Sequence, residues 1–193
     1  GLVVGLTLAR RSNGQSAATG SPAATDGTPF TPNAFLRVAP DDSVTVVIGK
    51  SEMGQGVYTG FAMTLAEELD VDPQRVRVEF APVDPAFNNP FLPAQFTGGS
   101  NSTFSTYEQL RQAGATARAM LLAAAANTWQ IDVATLTTNN GRVRSADGKH
   151  DSSYGSLANM AAAMTLPTEV ALKDPAAFKY IGKYQRRLDS PVK

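Results

Sequence analysis

Two short glycine-rich segments hold the residue types best suited to chemistry: Ser51-Glu52-Met53-Gly54-Gln55-Gly56 and Thr97-Gly98-Gly99-Ser100-Asn101-Ser102-Thr103. Glycine lets the backbone come close to a ligand, and a helix opened by such a turn aims free N–H groups and a partial positive charge at it. The second segment adds hydroxyls and an amide side chain, a set that suits phosphate oxygens or other anions. Ser102 or Thr103 can equally be an ordinary helix cap. Neither segment fits the P-loop, because no Gly-Lys-Ser/Thr follows. Gly54-Gln55-Gly56 also lacks the third glycine of the dinucleotide fingerprint. A lone Gly-X-Gly turn is commonly plain geometry. Two of them in one domain, each opening a helix, point to a bound ligand, and a generic anion- or nucleotide-binding domain is one reading of them.

Other chemistry is thinly supplied. The chain contains no cysteine, which excludes disulfides, cysteine-ligated zinc or iron–sulfur sites and a thiol nucleophile. Its single histidine, His150, follows Gly148-Lys149 and reads as a surface residue. A metal handled here must arrive with most of its ligands in an organic cofactor. Glu67 and Glu68 read as solvated or salt-bridged residues near a helix end, and Glu52 as a residue that shapes its turn. The 17 basic and 17 acidic residues cancel, so the sequence lacks the basic field that nucleic acid would call for.

The elements that must position the two turns follow from periodicity. Phe35 to Val38 and Ser43 to Ile48 read as strands, turned by Pro40-Asp41-Asp42. Tyr58 to Leu69 has helical spacing, with Phe61, Leu65 and Leu69 four residues apart, and Asp70-Val71-Asp72-Pro73 stops it. Val76 to Phe80 reads as a third strand. Four prolines and two asparagines make Ala81 to Gln95 an irregular loop, whose Phe87, Asn88, Asn89 and Pro90 line the cleft or face a partner. The longest helix signal, roughly Thr103 to Gln130, carries a stripe of Leu110, Ala113, Ala117 and Leu121, small enough for close packing, and Trp129 reads as core. Asn140-Gly141 marks a hairpin between Leu136–Asn139 and Arg142–Arg144, and Tyr154 to Met164 is a last short helix. The fold class expected is α+β, short mixed strands with a long alanine-rich helix.

The expected organisation runs from residues 1–11, an apolar signal-peptide-like remnant or a frayed or docked terminus, to a Ser/Gly/Ala/Thr/Pro linker at 12–33. The globular domain follows at 34–171, with an extended connection at 172–193. The apolar run Gly1 to Ala9 is far shorter than the roughly 20 residues that span a bilayer.

Taken together and in order, Ser51 to Thr59, Ala66-Glu67-Glu68-Leu69, Thr97-Gly98-Gly99-Ser100, Leu110 to Ala115, Leu172-Lys173-Asp174-Pro175 and Ile181-Gly182-Lys183 resemble one family. It is the molybdopterin-binding large subunit of the xanthine dehydrogenase/aldehyde oxidase type, in the isoquinoline 1-oxidoreductase beta-subunit and periplasmic aldehyde dehydrogenase branch. The resemblance implies part of a molybdopterin-binding domain and a molybdenum-dependent oxidoreductase, inactive as this piece alone. The cofactor implied is molybdopterin cytosine dinucleotide with molybdenum, with [2Fe-2S] clusters on a partner subunit. Met53, Gly54, Gln55 and Gly56 would lie against the pterin, with Gln55 hydrogen-bonding to it. Thr97, Gly98, Gly99, Ser100 and Ser102 would lie along the phosphates. Implied partners are the remainder of the large subunit, a small iron–sulfur subunit, a cytochrome c subunit as in periplasmic relatives, and a small-molecule substrate, with a periplasmic, membrane-associated location. The resemblance also implies that the catalytic glutamate lies beyond this piece, so no residue here is assigned a catalytic or metal-ligating role. A non-catalytic module that keeps the cradle's fold is the rival from another class.

Overall fold

The computed structural model describes residues 2–4 and 35–190. The linker expected at 12–33, and most of the apolar segment before it, lie outside the described residues. Leu2–Val4 (β1) is the exception: it pairs antiparallel with Leu36–Val38 (β2), which pairs antiparallel with Val44–Ile48 (β3). The helix Val57–Leu69 (α1) then carries the chain across to Val76–Phe80 (β4), which lies parallel to β3. The sheet order is β1-β2-β3-β4. All five residues of β3 are buried because the strand is covered on both faces. Val44, Val46 and Ile48 join the main core with Phe61, Leu65 and Leu69 of α1, while Val47 packs with Phe35 and Phe87 in a smaller cluster.

The long helix, Asn101–Trp129 (α2), has 29 residues and starts two residues before the sequence signal. At about 1.5 Å per residue it runs roughly 43 Å. Its stripe of Leu110, Ala113, Ala117 and Leu121 is fully buried. Gly114 sets how closely it approaches α1: a Cβ there would stand 2.7 Å from the Leu65 carbonyl oxygen and 2.9 Å from the Glu68 Cβ. A second sheet follows, Leu136–Asn139 (β5), Arg142–Ser145 (β6) and Asp151–Ser153 (β7), all antiparallel. Asn140 and Gly141 turn the hairpin at φ 45° and 76°, the left-handed pair such a turn needs. The strand β7 carries no apolar alternation, which is why the sequence reading passed over it. Tyr154–Ala162 (α3) closes the core, and the Tyr154 hydroxyl donates to the Leu69 carbonyl at 2.8 Å.

Two aromatic expectations change. Trp129 is only partly buried, at the edge of the core rather than within it. His150 is half-buried too, its ring stacked on Trp129 with centroids 5.0 Å apart. The indole, at the end of α2, extends past the core edge and the imidazole covers it.

Candidate functional site

The chain leaves β3 through Gly49-Lys50-Ser51 and enters the first turn. Gly54 and Gly56 both sit in the left-handed region, at φ 99° and 88°, where a side chain would be strained. The Glu52 carboxylate folds back over this turn and accepts the N–H groups of Gly54 (2.7 Å), Gly56 (3.0 Å) and Tyr58 (2.9 Å). The sequence suggested free N–H groups here; a carboxylate of the same turn takes them instead. Burial works to raise the Glu52 pKa, but the N–H groups of Gly56, Tyr58 and Gly54 outweigh it and hold the carboxyl below the ordinary range. Gln55 braces the turn with both arms: its Oε1 accepts the Met53 N–H at 2.6 Å and its Nε2 donates to the Ser51 carbonyl at 2.8 Å. Met53 projects into solvent, 68% exposed.

The second turn is built differently. Gly99 and Ser100 are both left-handed, at φ 58° and 56°, and no side chain caps the start of α2. The alternative of Ser102 or Thr103 as a helix cap does not hold: both lie inside the helix, because the chain becomes helical already at Asn101. The two turns are tied to each other. The Ser51 N–H donates to Thr97 Oγ1 at 2.8 Å, and Lys50 Nζ donates to the Phe96 carbonyl at 3.0 Å.

A cleft of about 390 Å³ opens between them, lined by Met53, Gln55, Thr97, Gly98, Ser100 and Ser102 among others. A second cleft of about 430 Å³, lined by Lys50, Phe80, Gln95 and Phe96, shares Met53 and Thr97 with the first. No carboxylate lines either one. Six of the nine residues singled out from sequence thus border one space, while Gly54, Gly56 and Gly99 set the backbone around it. Of the loop residues, Phe87 packs edge-on against Phe35, with centroids 5.3 Å apart. Asn89 is 3% exposed and accepts the Phe91 N–H at 2.9 Å, so these two support the loop from inside.

The sequence reading missed Lys50, because a single lysine after an apolar strand usually marks the return to solvent. It also missed the reach of residues 172–190. These are irregular, as expected, yet they run back along α1 as a strap. At the C-terminal end of α1, Glu67 accepts the N–H groups of Lys179, Tyr180 and Ile181 at 2.6–3.1 Å. Glu68 pairs with Arg111 at 2.6 Å and accepts the Lys173 N–H. Both glutamates have no exposed surface. The solvated alternative for them is therefore corrected: they are buried anchor points, and the salt-bridged alternative holds for both, Glu67 standing 3.5 Å from Lys173 Nζ. Asp70 binds Lys173 and Lys179 at 2.7 and 2.8 Å. At the other end of α1, the Leu188 N–H donates to Thr59 Oγ1 at 2.9 Å. Arg187 donates to the Gly54 carbonyl at 3.0 Å and stands 3.4 Å from Glu52. The strap thus reaches the first turn itself.

Comparison with known proteins gives the chain's family and the likeness of its fold. A family model described as the molybdopterin cofactor-binding domain matches residues 4–191. The isoquinoline 1-oxidoreductase subunit beta of Brevundimonas diminuta is 38% identical over 128 residues, covering 65% of this chain and 16% of that protein. The membrane-bound aldehyde dehydrogenase (pyrroloquinoline-quinone) of Gluconacetobacter polyoxogenes is 36% identical over 93 residues, 48% of this chain and 11% of that protein. This chain therefore matches only a small part of the length of either relative. The fold is similar to that of the Cu,Mo-CO dehydrogenase in its carbon monoxide reduced state, at TM-score 0.50 and 23% identity, over 63% of this chain and 15% of that one. Reconstituted CO dehydrogenase from Oligotropha carboxidovorans matches equally, at TM-score 0.50 and 22% identity, over the same shares of the two chains. With the family model covering nearly the whole sequence, the chain belongs to the molybdopterin cofactor-binding domain family.

Proposed function

We propose that this chain forms part of the cofactor cradle in the large subunit of a molybdenum-dependent oxidoreductase, one that oxidises aldehydes or hydroxylates N-heterocycles with water as the oxygen source. The observation that carries the proposal is the pair of glycine turns, pinned to each other and opening on clefts lined by donors and free of carboxylates. That donor set fits an anionic, phosphate-bearing group. The uncapped start of α2 and the hydroxyls of Thr97, Ser100 and Ser102 would hold the phosphates of a molybdopterin cytosine dinucleotide. The Met53–Gly56 turn would lie against the pterin. Gln55 spends its amide on bracing that turn, so it positions the backbone and has one Nε2 hydrogen left for the ligand. When bound, the cofactor supplies the redox centre. This chain's own residues bind it, orient it and hold its turns rigid.

The same reading places the [2Fe-2S] clusters on a small partner subunit, the rest of the large subunit around the clefts, and a cytochrome c subunit as electron acceptor, in a periplasmic, membrane-associated assembly. The names of the relatives support only the coarser part, a subunit of a larger oxidoreductase: one is a subunit beta of an oxidoreductase and the other a membrane-bound aldehyde dehydrogenase. The exposed pair Phe91 and Phe104, stacked with centroids 5.5 Å apart beside the second turn, is surface that further protein would cover.

Replacing Thr97 and Ser100 together by valine tests the phosphate assignment. Each charge-assisted hydrogen bond removed costs about 1.5–3 kcal/mol, so molybdenum and cytidine nucleotide recovered from the purified enzyme should fall together. Wild-type content of both in the double variant would remove the basis of the assignment.

A further inference from the structure

Lys50 lies at the junction of the two turns and is 5% exposed. Its ammonium has three hydrogens, and one of them meets the Phe96 carbonyl at 3.0 Å. Among the described residues no carboxylate stands within 4.0 Å of it. Buried Arg111 is treated otherwise, facing Glu68 at 2.6 Å, and so is the half-buried Lys173, which faces Asp70 at 2.7 Å. A buried charge without a counter-ion is costly unless something of opposite sign occupies its surroundings. Burial accordingly pushes the Lys50 pKa below the ordinary lysine range. The space beside it is the 430 Å³ cleft, which has no acidic lining and meets the neighbouring cleft at Met53 and Thr97.

We propose that Lys50 is an anion-binding residue: its ammonium is the built-in counter-charge for a phosphate or diphosphate group seated where the two clefts meet at Thr97. The inference deepens the proposed function by naming the charged residue that reads the ligand, where the hydroxyls and the helix start supply only dipoles. It also explains the attachment to Phe96. That bond fixes the flexible lysine stem so that its charge stays at the junction, and it ties Thr97 to the end of β3. A lysine kept only to join the loops would do so equally well with a carboxylate beside it.

The test uses the full chain and inorganic pyrophosphate as the probe. The ε-methylene signal of Lys50, assigned by comparison with Lys50→Met, is followed by NMR through a pH titration with and without pyrophosphate. The expected result is titration below the ordinary lysine range without the probe, and a move of that titration to higher pH when pyrophosphate is present. Lys50→Met, close in shape and neutral, should bind pyrophosphate at least about ten-fold more weakly, and Lys50→Arg should restore most of the binding. Pyrophosphate binding that leaves the Lys50 titration in place, or that is equal in Lys50→Met, overturns the role of Lys50. If that same binding is still lost on replacing Thr97 and Ser100, the cradle reading survives while this inference fails.

Discussion

At the start of α1 a carboxylate from the same turn satisfies the backbone, whereas at the start of α2 no side chain does. Glu52 collects three N–H groups, and Ser100 holds a left-handed backbone with none of its side chain turned to capping. The first turn is thereby self-contained and rigid, and the second is left open to an incoming anion. Glu52→Gln keeps the shape but offers one accepting oxygen in place of two, and no charge. The turn should loosen, with stability lower by about 1–2 kcal/mol in denaturant unfolding and reduced cofactor retention. Unchanged unfolding midpoints and cofactor content would show that the carboxylate is incidental. The glycines and hydroxyls of both turns stood out in the sequence because two glycine-rich turns in one domain each open a helix. Lys50 did not, since its type and spacing are those of any strand end. Only its burial without a counter-ion distinguishes it.

The helices were legible to within two residues, because Phe61, Leu65 and Leu69 on α1 and the Leu110–Leu121 stripe on α2 repeat at helical spacing. The short strands β1 and β7 were not: β7 is Asp-Ser-Ser with no apolar residue, and β1 lies in an apolar run that read as a signal-peptide-like remnant or a frayed or docked terminus. The alanine-rich character of α2 also forecast close packing, and Gly114 is where that packing is tightest. A methyl group there meets backbone and Cβ rather than the movable end of a side chain. Gly114→Ala should therefore force α1 and α2 apart, with a loss of about 2 kcal/mol despite the better helix propensity of alanine. Chemical denaturation reads this directly. A gain in stability would mean that the helices can separate at no cost.

Across the molecule, the strap from 172 to 190 links the end of α1 to the first turn at its beginning. Its anchors lie more than 100 residues from their partners in sequence and follow no periodicity, so the sequence could show only an irregular, charged segment. Burial works to raise the pKa of Glu67, but the N–H groups of Lys179, Tyr180 and Ile181 hold it below its ordinary value. Asp70 is likewise opposed by burial and held low by Lys173, Lys179 and Thr138. Folded carboxyls with depressed pKa values contribute stability above their unfolded values, about 4, and lose it as pH falls through the folded ones. The unfolding midpoint should therefore drop as pH falls from 5 to 3. Glu67→Gln should start lower at pH 7 and show a shallower drop. Parallel curves for variant and wild type would remove Glu67 from this account. The central claim, that this chain cradles a molybdenum cofactor within a larger enzyme, is tested most directly by one measurement on native material: the intact mass of every polypeptide that co-purifies with it, with molybdenum and pterin assayed in the same sample. The account predicts further large-subunit sequence, an iron–sulfur subunit and stoichiometric molybdenum with pterin; the chain isolated alone, with neither, would contradict it.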